Sequence, residues 1–310
     1  MEASTDISIR RATDDDMFAA FAVFRRSLWP MLHRLGSVPS PELSDAELQE
    51  SWVPRQAWIE HLWKTAAENW VAVDAGAPAG ELAGWAMSVQ RGPLLELTHF
   101  FVMPGAQSRG VGRALLEAAF PVGAGPHRAI IATQDPRATS RYLRAGVRFI
   151  STIVEFEAAP RRIEPSTDLE FEVLDRSERS VDLIGGIEEQ LLGHRRDVDI
   201  DFLLSRHPAW IARRDGVPVG FAFGHREEIC GPIGALEASD IPALLDQVED
   251  HAASIGARNL YFSVPLRNHG AVEHLLERGY TLDPFFTSFL ADSDWLPVDR
   301  WIHCGISYIL

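Results

Sequence analysis

The chain reads in part twice. Asp135-x-x-Ala138-x-x-x-Tyr142-x-x-x-Gly146 is echoed 133 residues later by Asn268-x-x-Ala271-x-x-x-Leu275-x-x-x-Gly279, and Leu115-Leu116 returns as Leu244-Leu245 at an offset of 129. Periodicity and turn chemistry give both halves one order of elements. In the first, a strand over 7–11 leads through Thr13 and three aspartates into a helix over 17–33, then a helix over 44–69. Strands over 70–74 and 81–90 pair across a turn at 76–80. A strand over 94–103, a helix over 107–120 and a strand over 128–134 form a parallel crossover unit. A helix over 137–145 and a strand over 147–157 close the half.

Residues 159–168 hold two prolines and little apolar content, which marks a linker between a first domain at 1–158 and a second at 169–310. The order then restarts: a strand over 169–174, helices over 178–193 and 199–207, a hairpin of 210–215 with 218–226, a helix over 239–255, a strand over 259–264, a helix over 268–278 and a strand over 280–290.

At 310 residues the chain has room for two ordinary cores. Its net charge of -15 argues against a nucleic-acid partner, because such binding rests on clustered basic residues. The halves differ, with -3 over 1–160 and -12 over 161–310. Cys230 and Cys304 show no paired spacing and no metal-type neighbours, and read as buried free thiols. No metal is expected. The N-terminal residues lack the basic and apolar regions of a signal peptide, and no apolar run approaches the ~20 residues that span a bilayer, so no membrane partner is expected and the location reads as cytoplasmic.

Gln107-Ser108-Arg109-Gly110-Val111-Gly112 follows an apolar strand and opens an amphipathic helix. Glycine at two positions bares the backbone where a helix begins, so its amides can close on an anion at the positive end of the helix dipole. A nucleoside-triphosphate loop would need Gly-Lys-Ser/Thr, and a dinucleotide fingerprint would need a third glycine and a ribose-binding acid, for which Asp135 is the nearest residue.

Val102-x-Pro104, then Gln-x-x-Gly-x-Gly, then Asx-x-x-Ala-x-x-x-Tyr-x-x-x-Gly about thirty residues on together resemble the GNAT superfamily of N-acetyltransferases. The resemblance covers 7–158 by motif, and 169–310 by element order and the second motif only. It implies an α+β fold of mixed αβα layers: two tandem acyl-CoA N-acyltransferase (GNAT) domains, each a mostly antiparallel mixed sheet with one parallel βαβ crossover. It implies acetyl-CoA as cosubstrate and an amine acceptor, with a small molecule favoured by an aromatic cleft.

Carried over by position, the pyrophosphate lies on the amides of Ser108, Arg109, Gly110, Val111, Gly112 and Arg113, with both arginines flanking it. The pantetheine arm pairs like a strand with the backbone of Phe100, Phe101 and Val102, where two strands splay apart. Asp135 and Ala138 complete the cofactor set, although Asp135 stands where relatives often carry Asn, and an ionised carboxylate only accepts. Tyr142 takes the position of the proton donor to the leaving thiolate. Glu96, eleven residues before Gln107, is the best-placed base, with His99 as substitute on the opposite strand face.

Six of nine tryptophans fall between Trp29 and Trp85, as packing for most and as a pocket wall for one or two. In the second half Leu236, Ser239 and Ile241 meet Gln107, Gly110 and Gly112, and Leu275 meets Tyr142, so the phosphate turn and the acid are gone. That half reads as structural, covering the first and shaping the acceptor cleft. The tail over 301–310 alternates like a strand and is expected to complete a sheet, as one candidate that of the first domain. The functional expectation is an N-acetyltransferase, monomeric or homodimeric, that transfers acetyl directly to a primary amine in the N-terminal domain. The alternative is a non-catalytic acyl-CoA-binding sensor or interaction module.

Overall fold

The computed structural model describes residues 7–76, 81–224 and 230–305. Its contacts divide the chain into two units that do not follow the sequence halves. The first takes the described residues to Gln90, with Leu94–Ile130 and Arg144–Gly146; the second takes Arg91–Pro93, Ile131–Leu143 and the described residues from Val147 onward.

In unit 1, β1 (Ile7–Arg11) is followed by α1 (Met17–Arg34), α2 (Asp45–Trp52), α3 (Gln56–Lys64), β2 (Ala66–Asp74), β3 (Gly84–Arg91), β4 (Leu94–Val102), α4 (Val111–Ala119) and β5 (His127–Ala132). The aspartate run starts α1 as expected: Arg10 grips Asp16 at 2.6 and 2.7 Å, and Asp16 accepts the Thr13 amide at 2.8 Å. The Arg10 hydrogen bond holds the Asp16 carboxyl down at about 2. The single helix expected over 44–69 is two, because Pro54 has no amide with which to continue a helical ladder. Residues from Ala66 instead open β2, which pairs antiparallel with β3 from Ala66↔Val89 to Ala72↔Gly84. Residues 77–80 of the expected turn lie outside the described set.

β4 and β5 pair in parallel through α4, from Leu94↔His127 to Leu97↔Ile130. The ladder stops there although β4 continues to Val102. Gly84 makes room for α4, since a Cβ there would stand 2.8 Å from Leu115 Cδ1. Buried Phe21, Ile59, Leu62, Trp63 and Trp85 fill the aromatic side of the core.

Unit 2 holds most of α5 (Pro136–Arg144), then β6 (Arg148–Ala158), β7 (Glu170–Leu174), α6 (Glu178–Leu192), α7 (Asp197–Leu204), β8 (Ala209–Arg214), β9 (Val217–Phe223), β10 (Ile233–Ala235), α8 (Ile241–Ser254), β11 (Leu260–Pro265), α9 (His269–Glu277), β12 (Thr281–Ala291) and β13 (Trp301–Ile302). The order from β7 to β12 repeats that from β1 to β6, with two helices in place of three after the first strand. Residues 225–226 of the expected hairpin lie outside the described set.

Three departures from the sequence reading matter. β6, assigned to the first domain, runs antiparallel between β11 and β12, from Leu260↔Ala158 to Pro265↔Ile153 and from Thr281↔Glu157 to Ala291↔Arg148. The linker is pinned to α8: Arg161 N donates to Glu249 and Ile163 N to Asp250, at 3.0 and 2.9 Å. Among the described residues, the tail does complete a sheet, but one of the second half: β13 pairs with β10 at the end of a five-stranded sheet ordered β13-β10-β9-β8-β7. Residues 306–310 lie outside the described set.

Candidate active site at the glycine turn

The turn after β4 is built by three local devices. Gln107 Nε2 donates to Val102 O at 3.2 Å, tying the turn to the strand end. Ser108 and Gly110 then take left-handed φ of 66° and 85°. A Cβ on Gly110 would meet nothing within 4 Å, so glycine is favoured there by conformation and not by space. The reversal stands at the N-terminal boundary of α4.

Among the described residues, the amides of Ser108, Gly110, Val111 and Gly112 have no hydrogen-bond acceptor. Ser108 and Gly110 are exposed. These four donors sit at the positive end of α4, which suits a phosphate and satisfies groups that a helix start otherwise leaves to water. Arg113 departs from the expectation. Its amide is spent on Gly110 O at 2.9 Å, and its guanidinium on Glu117 at 2.7 Å. Arg109 stands 3.6 Å from Asp74. Each flanking cation is thus held by a carboxylate. Gln107 and Asp74 are the residues that the sequence reading passed over. The first was visible in the motif; the second depends on long-range pairing of β2.

Upstream, β4 is buried from Leu94 to His99 and half-buried at Phe100, Phe101 and Val102, so the strand opens at the end nearest the turn. The Phe101 ring lies 4.8 Å from Phe24. Glu96 is 1% exposed and pairs with Ala129 inside the closed part of the ladder, one residue before its end.

His99 does not suit the substitute role. It stacks on Trp85 at 4.1 Å and meets Phe24 edge-on at 5.6 Å. Burial pushes its pKa down to about 3, so the ring is neutral and a weak base at neutral pH. Thr98 gives its hydroxyl proton to Met87 O at 3.1 Å, so the 3.2 Å contact with His99 Nδ1 has histidine as donor.

Of the six tryptophans from Trp29 to Trp85, four (Trp29, Trp52, Trp63 and Trp85) have packing partners in unit 1. Trp63 lies 5.8 Å from Trp85 and donates to Asp14, Trp52 meets Phe21 at 4.9 Å, and Arg25 lies over Trp29 at 5.4 Å.

The echoed motif turns out to be a capped helix. Asp135 accepts the Arg137 amide at 2.8 Å at the start of α5, and Asn268 accepts the Ala271 amide at 3.1 Å at the start of α9. Gly146 and Gly279 take φ of 94° and 84° at the other ends. Val147 N then reaches Tyr142 O at 3.4 Å and Tyr280 N reaches Leu275 O at 3.0 Å, the six-to-one bond of a Schellman cap. The Asp135 carboxylate is therefore employed in capping. Ala138 is half-buried. Tyr142 and Leu275 share the buried position, 4% and 1% exposed. Burial, and next the Asp135 charge, raise the Tyr142 pKa, so its hydroxyl stays protonated.

Both cysteines are buried, and neither forms a disulfide. No helix among the described residues is long and apolar enough to cross a membrane.

Residues 31–146 match the family model of the acetyltransferase (GNAT) family. This part of the chain is similar to the GNAT acetyltransferase domain, whose family carries out acyl transfer. The fold is shared over nearly the whole chain with solved proteins. One is a Pyrococcus horikoshii protein held to be an acetyltransferase, at TM-score 0.67 and 17% identity, with 98% of this chain and 95% of that one covered. Another is a GCN5-related N-acetyltransferase of Sphaerobacter thermophilus, at 0.58 and 17%, covering 94% and 96%. A tandem GNAT protein from the clavulanic acid biosynthesis pathway aligns at 0.53 and 13%, covering 92% and 98%. At these identities the likeness is one of fold, and the fold is the tandem GNAT arrangement. No curated protein matches the sequence.

Proposed function

We propose that the chain is an acetyl-CoA-dependent N-acetyltransferase that acts through the glycine turn of unit 1 and acetylates a primary amine of a small molecule. The observation that carries this reading is the set of four amides without acceptors at the left-handed start of α4. They fit the pyrophosphate of acetyl-CoA. The strand edge that β4 leaves beyond Leu97 fits an amide-bearing pantetheine arm.

In the reaction the amine nitrogen attacks the thioester carbonyl, the C–N bond forms and the C–S bond breaks. The nitrogen loses a proton and the thiolate gains one. Glu96 accepts the first through water, because its carboxylate lies inside the closed ladder. Tyr142 supplies the second by its motif position, and its raised pKa keeps that proton available at neutral pH.

Burial of both proton carriers favours a second reading, an acyl-CoA sensor without turnover. Assay against a panel of small amines separates the two. The enzyme reading expects Glu96→Gln and Tyr142→Phe each to lower kcat about 10²-fold or more while acetyl-CoA still raises Tm. A chain that binds acetyl-CoA yet turns over no amine is the sensor.

A further inference from the structure

In unit 2, β10 holds the place of β4, α8 that of α4, and β11 that of β5. The two features of unit 1 that the proposed acyl-CoA would use are the end of β4 past its last pair with β5 and a helix start with bare amides. Unit 2 has both positions, and its own chain fills them.

The edge of β10 is taken by the C-terminal segment. Ile302 pairs with Ile233 and Trp301 with Gly234, and His303 bridges onward to Ser263 of β11, its amide donating to Ser263 O at 3.1 Å. Ala235 N donates to Arg300 O at 3.1 Å. The segment is thus seated between β10 and β11 as an added strand. Trp301, Ile302, His303 and Cys304 are 0%, 0%, 0% and 3% exposed. Burial raises the Cys304 thiol to about 12. The approach is close enough to require glycine: a Cβ on Gly231 would lie 2.7 Å from His303 O.

The helix start is occupied by a carboxylate and a proline: Asp240 bonds Arg214 rather than the α8 amides, and Pro242 in the first turn removes one of those amides. Asp240 precedes α8 and is 4% exposed, and Arg214 holds it at 2.7 and 3.1 Å while also holding Asp168 at 2.8 and 3.1 Å. A resident negative charge therefore already sits at the positive end of the α8 dipole. Ile241, fully buried, follows it where unit 1 has bare backbone.

We propose that the β10–α8–β11 part of unit 2 is closed to acyl-CoA by its own chain, with residues 301–303 lying where a pantetheine arm would add as a strand and Asp240 standing where a phosphate would sit. The consequence, that each chain takes one acyl-CoA, rests on the reading of unit 1 given above.

Amide hydrogen exchange on the full-length protein, with and without acetyl-CoA, tests it. Without acetyl-CoA, segments 233–235 and 301–303 should exchange on the order of a hundredfold more slowly than the loop at 104–110. Added acetyl-CoA should slow 98–112 and leave both unit 2 segments unchanged, and calorimetric titration should give one acetyl-CoA per chain. Fast exchange over 233–235 or 301–303 in the free protein would overturn the proposal, as would slowing there on addition of acetyl-CoA or a stoichiometry of two. If acetyl-CoA alters exchange nowhere, the reading of unit 1 fails, and slow exchange of the unit 2 segments in the free protein still upholds the closure.

Discussion

His99 shows how far burial redefines a residue. A histidine on the strand next to a proposed base invites a catalytic role, yet this one stacks on Trp85 and titrates near 3. Its unfolded pKa is about 6.5, so between roughly pH 6.5 and 3 the unfolded chain carries a proton that the folded chain does not. Stability from this group is therefore present above pH 6.5 and falls as pH falls, by up to about 1.4 kcal/mol per pH unit. Urea unfolding of His99→Phe between pH 4.5 and 7 should show a shallower loss of stability than the parent protein. An equal slope would mean that the ring is not held neutral.

At the scale of elements, the repeated motif divides into a helix-building part and a part that differs between the halves. Asx at the start and glycine beyond the end cap α5 and α9 alike, whereas the buried position holds tyrosine in one and leucine in the other. Asp135→Ala should cost about 1 kcal/mol by loss of the cap, and Asp135→Asn a few tenths, measured by chemical denaturation. Equal losses would contradict the capping role.

The elements themselves were largely legible, because hydrophobic period and capping chemistry are local. What was not legible depended on partners distant in sequence. Ala66–Asn69 became strand through pairing with β3, against their expected helix. The three residues of β10 were too short to announce themselves and exist through β9 and β13. The glycine turn and the helix it opens were readable, but the capture of Arg109 by Asp74 and the spending of the Arg113 amide were not.

At the scale of the molecule, the same order of elements recurs with different side chains in its two copies. Unit 2 carries buried charge as structure. Arg91 meets Asp199 at 2.5 and 2.9 Å, and Arg196 pairs with Glu188 beneath Trp301. Breaking such a pair strands a buried charge, so Asp199→Asn should destabilise the protein by about 3–5 kcal/mol, seen as a lower urea midpoint. A change within 0.5 kcal/mol would mean that water reaches Arg91.

The central claim is that the amides at the start of α4 hold the pyrophosphate of acetyl-CoA. Calorimetric titration of acetyl-CoA into the wild type and into Gly110→Asp tests it most directly, because aspartate tolerates a left-handed φ better than most residues while putting a carboxylate at the phosphate position. The account predicts one acetyl-CoA per wild-type chain and binding weakened by about 100-fold or more in Gly110→Asp, with far-UV circular dichroism unchanged. Wild-type affinity in a folded Gly110→Asp would contradict it.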